Sequence, residues 1–123
     1  MTLTDAGKTT VLDSWGYQFS NNGDIAGYLD FRTDSDVQIV VVSFEDDAFG
    51  DPTGSGTVTI GMNGPVNGTA IASGRIEKAY LCTPFGIAVD ELTVYTSSAD
   101  INLTETLVYE GDIVQVTSGE YQL

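Results

Sequence analysis

The chain has 123 residues, is 41% hydrophobic and carries 6 Tyr, 5 Phe and 1 Trp, enough apolar material to build a core, so disorder is excluded and one domain over residues 1–123 is expected. Its 18 acidic residues stand against only Lys8, Arg32, Arg75 and Lys78, for a formal net charge of −14. A surface so poor in cations cannot displace the counterions condensed on DNA or RNA and is repelled by an anionic membrane, so neither is expected as a partner.

Residues 2–20 hold the one helical pattern. Val11, Leu12, Trp15 and Phe19 fall on a single stripe, while Lys8, Asp13 and Gln18 lie off it. Thr2 or Thr4 can cap the start, and Asn21-Asn22-Gly23 stops the helix because Gly and Asn accept the left-handed conformation. The stripe is expected to lie on a sheet, with Trp15 as its largest anchor.

From Ile25 the period changes to two. Residues 25–33 alternate as a strand, and Thr33-Asp34-Ser35-Asp36 turns. Val37 to Phe44 is β-branched almost throughout and predicts a central strand buried on both faces. Residues 45–52 form an acidic loop, Thr57 to Met62 alternates again, and Asn63-Gly64-Pro65 ends that strand. Residues 69–81 give a broken strand, Thr83-Pro84-Phe85-Gly86 a hairpin turn, and Asp90 to Thr96 a strand. Ser97 to Asp100 makes a corner, and Ile113 to Thr117 a last strand after a Gly111-Asp112 turn. This spacing predicts a mainly β protein, an antiparallel β-sandwich of about seven strands over residues 25–123 with one N-terminal helix.

The chemistry is bounded by what is missing. With 0 histidines there is no imidazole ligand and no Ser-His-Asp or Cys-His arrangement, so no enzyme is expected, and no catalytic residue and no cofactor. Adjacent carboxylates such as Asp46-Asp47 point to opposite faces of an extended chain and lack the apolar setting that raises an acid's pKa. Calcium is the one ion worth placing: Asp46, Asp47 and Asp51 are hard oxygen ligands on one loop, though without the spacing of an EF-hand. Cys82, alone, cannot form an internal disulfide and is expected to be a buried thiol. No run of membrane-spanning length and no basic segment followed by an apolar one is present, so no export signal is visible. A carbohydrate-binding sandwich would need a plane of exposed aromatics, for which Tyr17, Tyr28, Tyr80, Tyr95, Tyr109 and Tyr121 are the candidates, spread along the chain.

Four segments carry a resemblance: residues 43–50 (Ser-Phe-Glu-Asp-Asp-Ala-Phe-Gly), Gly68-Thr69-Ala70, residues 94–103 (Val-Tyr-Thr-Ser-Ser-Ala-Asp-Ile-Asn-Leu), and residues 111–118 (Gly-Asp-Ile-Val-Gln-Val-Thr-Ser). In this order, after an N-terminal helix, they resemble a family of small structural proteins of tailed bacteriophages. Residues 75–85 depart from that pattern, which has a tryptophan-containing strand there. The resemblance implies a virion protein without enzymatic activity, made in the bacterial host cytoplasm. Its expected role is a capsid decoration or cement protein, a homotrimer on the outer surface of the major capsid protein lattice. A tail, neck or baseplate component is the alternative. The residues of the motif are expected to build the fold: Asp100 to cap amides at the corner, and Ile101 and Leu103 to face the core with Asn102 opposed.

Overall fold

Residues 3–19, 27–44, 49–62 and 66–123 are described by the computed structural model, apart from the side chains of 15–19. The helix α1 (Asp5–Phe19) precedes ten strands: β1 (Tyr28–Arg32), β2 (Gln38–Ser43), β3 (Thr59–Gly61), β4 (Val66–Thr69), β5 (Gly74–Arg75), β6 (Lys78–Cys82), β7 (Ala88–Tyr95), β8 (Ile101–Leu103), β9 (Leu107–Val108) and β10 (Ile113–Gln122). The protein is mainly β with its helix at the N-terminus, as the change of period from the stripe to the alternation predicts.

Thr4 caps α1, its Oγ1 accepting the Gly7 N–H at 3.1 Å. Asp5 sits in the first turn, where a negative charge suits the helix dipole. Its carboxylate also accepts the Gly56 N–H at 2.9 Å and the Ser55 hydroxyl at 3.1 Å. Lys8 donates to Gly56 O, so both charged side chains of the first two turns grip one loop. Leu12 is fully buried and joins the core. The side chains of Trp15 and Phe19, the other expected anchors, lie outside the described residues.

Eight strands form one continuous sheet in the order β2-β1-β6-β7-β8-β10-β3, with β4 also on β10. β3 and β4 share one edge of β10 end to end, Gly61 opposite Glu120 and Val66 opposite Val116. The sheet curls until β4 backs onto β2. There the Ile71 N–H donates to Ile39 O at 2.8 Å, and a Cβ on Gly68 would stand 2.7 Å from Val41 O. Inside the curl, strand alternation sends Leu29 and Phe31, Val40 and Val42, Ile101 and Leu103, and Val114 and Val116 into one core. Each such burial stabilises by roughly 1.5–3 kcal/mol.

Two expectations are corrected. Residues 37–44 are not the middle of the sheet: β2 ends the strand path, and Val41 is exposed. Its β-branched run is buried at Ile39, Val40 and Val42 because β4 closes over it. The sheet is also not wholly antiparallel, since β7 and β8 run parallel at Val94–Ile101 and Tyr95–Asn102. The chain reverses twice between them, through a corner in which Ser98 takes φ 58° and Asn102 brackets Ala99, accepting its N–H and donating to its carbonyl.

Because β8 meets β7 only at the last two residues of β7, Val94 and Tyr95, side chains stitch the lower part of β7. Asp100 Oδ2 accepts the Thr93 N–H at 3.1 Å, and Thr93 Oγ1 accepts the Asp100 N–H at 3.0 Å. Asp90 accepts the Glu91 N–H through one oxygen and, at 2.7 Å, the Tyr121 hydroxyl of β10 through the other. Asp100 therefore caps an amide as expected, but seven residues back on β7 rather than within its own corner.

Candidate functional site

Two surfaces concentrate the groups able to meet a ligand or a partner. The first is the outer face of β2, β1, β6 and β7. Register places Asp30 opposite Val41 and Tyr80, Arg32 opposite Lys78, and Tyr80 opposite Glu91, so all point away from the core. Asp30 is only 7% exposed there. Its Oδ2 accepts both Arg32 Nε and an Arg32 terminal nitrogen, at 3.0 and 2.9 Å, and its Oδ1 accepts Gln38 Nε2 at 3.0 Å. Such charge-assisted bonds offset the desolvation of a buried carboxylate.

The network continues along β6. Lys78 Nζ lies 3.0 Å from Asp36 Oδ1 and 3.5 Å from Glu91 Oε1, and Tyr80 donates its hydroxyl to Asp36 at 3.2 Å. The Lys78 hydrogen bond holds the Asp36 carboxyl below its ordinary range, with the Tyr80 hydroxyl adding to the effect. Asp36 itself sits at φ 65°, a conformation Asp tolerates. Arg32 and Lys78 flank the Tyr80 ring at 5.9 and 5.6 Å from its centroid. Every charge in this cluster has a protein partner, so it braces four strands together, β2, β1, β6 and β7. Among the described residues no buried side-chain nitrogen or oxygen lacks a hydrogen bond.

The second surface is the tip of the β6–β7 hairpin. Cys82 pairs with Tyr28, the first residue of β1, so residues 83–87 run past the neighbouring strand. The turn is closed by Thr83 N–H to Ile87 O and Gly86 N–H to Thr83 O, both 2.9 Å, with Gly86 at φ 84°. Phe85 is 83% exposed and Ile87 63%, and Val89 is exposed beside them. From Thr83 to Val89 the tip carries no charge, while Asp90 and Glu91 follow immediately. The sequence marked this stretch as a turn; the signal of a protruding tip was Phe85 and Ile87 on either side of Gly86, with no polar residue between.

Of the calcium candidates, Asp51 is exposed beside the Phe49–Met62 bridge, while Asp46 and Asp47 lie outside the described residues. Among the described residues no group of three or more acidic, His or Cys side chains gathers as a metal site. An open cleft of about 270 Å³ lies between Thr104, Glu105 and residues 112–114, but Asp112 Oδ2 there already accepts the Tyr109 N–H at 2.9 Å. Cys82 is buried, and burial pushes its thiol pKa up.

The tyrosines whose side chains are described do not gather on one face. Tyr28 and Tyr80 lie on the outer face, Tyr95 and Tyr109 are exposed toward the end of the sheet opposite the tip, and Tyr121 packs on the core. The Tyr17 side chain is outside the described residues. No helix among the described residues is long and apolar enough to cross a membrane. Comparison with protein-family models, curated proteins and solved structures finds no match for this chain.

Proposed function

We propose that this chain is a non-enzymatic structural protein of a tailed bacteriophage virion, a capsid decoration or cement protein that docks on the outside of the major capsid protein lattice and associates with its own copies. The observation that carries the docking part is the uncharged tip at Phe85 and Ile87, 83% and 63% exposed on a chain of net charge −14. Large exposed apolar groups rimmed by charge suit a protein partner. The outer-face ion pairs are engaged with one another, so they brace the fold rather than offer a reacting group. The capsid lattice as the target rests on the sequence resemblance in residues 43–118. Electron cryomicroscopy of purified particles tests it: copies arrayed over the shell are expected, density at the tail or neck would move the protein there, and particles without the chain would overturn the reading. Washing at about 1 M salt, where charges are screened beyond about 3 Å, should leave an apolar contact in place and strip an electrostatic one.

A further inference from the structure

Strand β8 fills only the upper part of the space between β7 and β10. It joins β7 at Val94 and Tyr95 and β10 from Val116 to Gly119, and its line ends at Asp100, whose carbonyl accepts the Glu120 N–H at 2.8 Å. Below that point β7 extends back to Ala88 and β10 on to Gln122, with no strand between them among the described residues. Where β8 separates them, β7 and β10 stand two strand spacings apart, about 9.6 Å, so the slot that opens below β8 is one strand wide at its head.

Backbone groups face into this slot from both sides. On β7 the Thr93 N–H turns toward Asp100, and Glu91, two residues back, turns the same way. On β10 the Glu120 N–H points to Asp100, and the Gln122 N–H points the same way. Asp90 bolts the slot, capping the Glu91 N–H at 2.7 Å and holding the Tyr121 hydroxyl across the gap. The slot is open to solvent, since Val89, Asp90, Glu91, Glu120 and Gln122 are all exposed. Its floor is apolar: beside Tyr121, the side chains of Leu81, Leu92 and Ile101 line a narrow pocket.

We infer that this slot binds an extended basic segment of a partner protein, which enters as a strand in line with β8 and pairs with Glu91 and Gln122. Two features fix the occupant. The slot is bounded by a strand on each side, so whatever enters needs both of its own edges free, and a strand already built into a folded sheet does not have them. The charge is one-sided: Asp90, Asp100 and Glu120 have no ion-pair partner among the described residues, and Glu91 shares Lys78 with Asp36. A strand in this place sends alternate side chains to the apolar floor and to the carboxylate rim, so the segment alternates small apolar residues with Lys or Arg. The 4 cations of this chain are nowhere two residues apart, so a second copy offers no such stretch. As the segment enters, Asp90 releases the Glu91 amide and the Tyr121 hydroxyl and turns to the incoming cations.

The probe is an acetylated peptide of about eight residues alternating valine and lysine, titrated into the purified chain. No virus particle is needed, so the result is distinct from success or failure of the capsid reading. Amide exchange followed by NMR should show Glu91 and Gln122 becoming protected, with a Kd between about 10 μM and 1 mM. Methylating alternate peptide nitrogens keeps the charge but removes the pairing, and should weaken binding by about tenfold or more. Gln122→Pro, which removes the N–H facing the slot at an exposed position, should weaken it by about fivefold. Tyr121→Phe, which unbolts Asp90, should strengthen it by about threefold or more. Unchanged far-ultraviolet circular dichroism would verify that both variants fold. No protection of Glu91 and Gln122 at about 1 mM peptide overturns the inference. So does equal binding of the methylated peptide, which would mean charge attraction without a strand, or of a valine and threonine peptide, which would mean a strand without a basic preference. Protection of the same two amides by self-association of the chain alone would put a second copy in the slot and overturn it too.

Discussion

Replacing Gly68 with alanine tests the closure of the sheet. Gly68 lies where β4 backs onto β2, and an added Cβ would stand 2.7 Å from Val41 O, 3.0 Å from Val40 Cγ2 and 3.2 Å from Val42 Cγ2. The first distance is about 0.7 Å short of the 3.4 Å at which ordinary van der Waals contact begins, and its partner is backbone, which cannot rotate away. Forcing the strands apart by that amount in a packed core costs about 1–3 kcal/mol. Gly61 is the internal control. It lies on the same edge of β10, yet its nearest neighbour would be Gly119 O at 4.0 Å. Gly61→Ala should therefore be neutral or stabilising by about 0.4–1 kcal/mol, through the lower entropy of the unfolded chain. In urea denaturation followed by circular dichroism, Gly68→Ala should fall below Gly61→Ala by at least about 1 kcal/mol, the lower bound for Gly68 set against a neutral Gly61. In a chain of this size that separates the melting temperatures by roughly 3 °C or more. Equal effects at the two glycines would mean that β4 and β2 are not in contact, and the curl would be refuted.

The outer-face brace predicts strong coupling. Asp30→Leu should cost about 2–4 kcal/mol, somewhat under the figure for a fully buried pair because the Arg32 side chain is 30% exposed, and adding Arg32→Leu should restore much of the loss. Additive costs in a double-mutant cycle would argue against the brace. Burial, and then the hydrogen bond to Asp90, raise the Tyr121 hydroxyl pKa above its usual value of 10. Its contribution is complete below the unfolded pKa of about 10 and is lost as pH rises beyond it, so Tyr121→Phe should lower stability by about 1–2 kcal/mol at pH 7 and flatten the alkaline loss. Identical alkaline slopes for the two proteins would contradict this. For Asp36 the sign is opposite: its depressed pKa gives stability that is present above about pH 4 and lost as pH falls through the folded value. Carboxyl titration by NMR should show that pKa return toward the ordinary value in Lys78→Met, and an unmoved curve would remove Lys78 as the cause.

How much of this was legible depended on how local the cause is. The helix, the 83–86 turn and the alternation of Ile101, Asn102 and Leu103 follow from neighbouring residues, and the structure places them as the pattern predicts. β4 was not visible, because Val66-Asn67-Gly68-Thr69 has one apolar residue in four and takes its place only through β10 and β2. The run from Val37 to Phe44 was legible as buried but not as an edge. Its cover is a strand more than 20 residues later, and burial by a distant segment leaves no mark on periodicity. The parallel β7–β8 pair depends on one left-handed serine, which no propensity announces. The brace left a weak signal: Asp30 and Arg32, two apart in a strand, must share a face. Lys78, more than 40 residues on, completes it only through strand register. The calcium candidates were read from composition alone, and only Asp51 falls among the described residues.

The stitching along the lower half of β7 has a kinetic consequence. Between β1 and β6 continuous pairing from Tyr28–Cys82 to Arg32–Lys78 binds the strands, and opening there disrupts the core behind it. Between β7 and β10 below Ile101, the junction is two carboxylates and a phenol, groups that can rotate out and return without breaking a ladder. Breathing should concentrate along that line. The Thr93 and Glu91 amides should then exchange with solvent through small local openings, at rates set by their side-chain latches, while Leu29 and Phe31 exchange only when the whole molecule unfolds. The curl is a band with a clasp, and the clasp gives way before the band does.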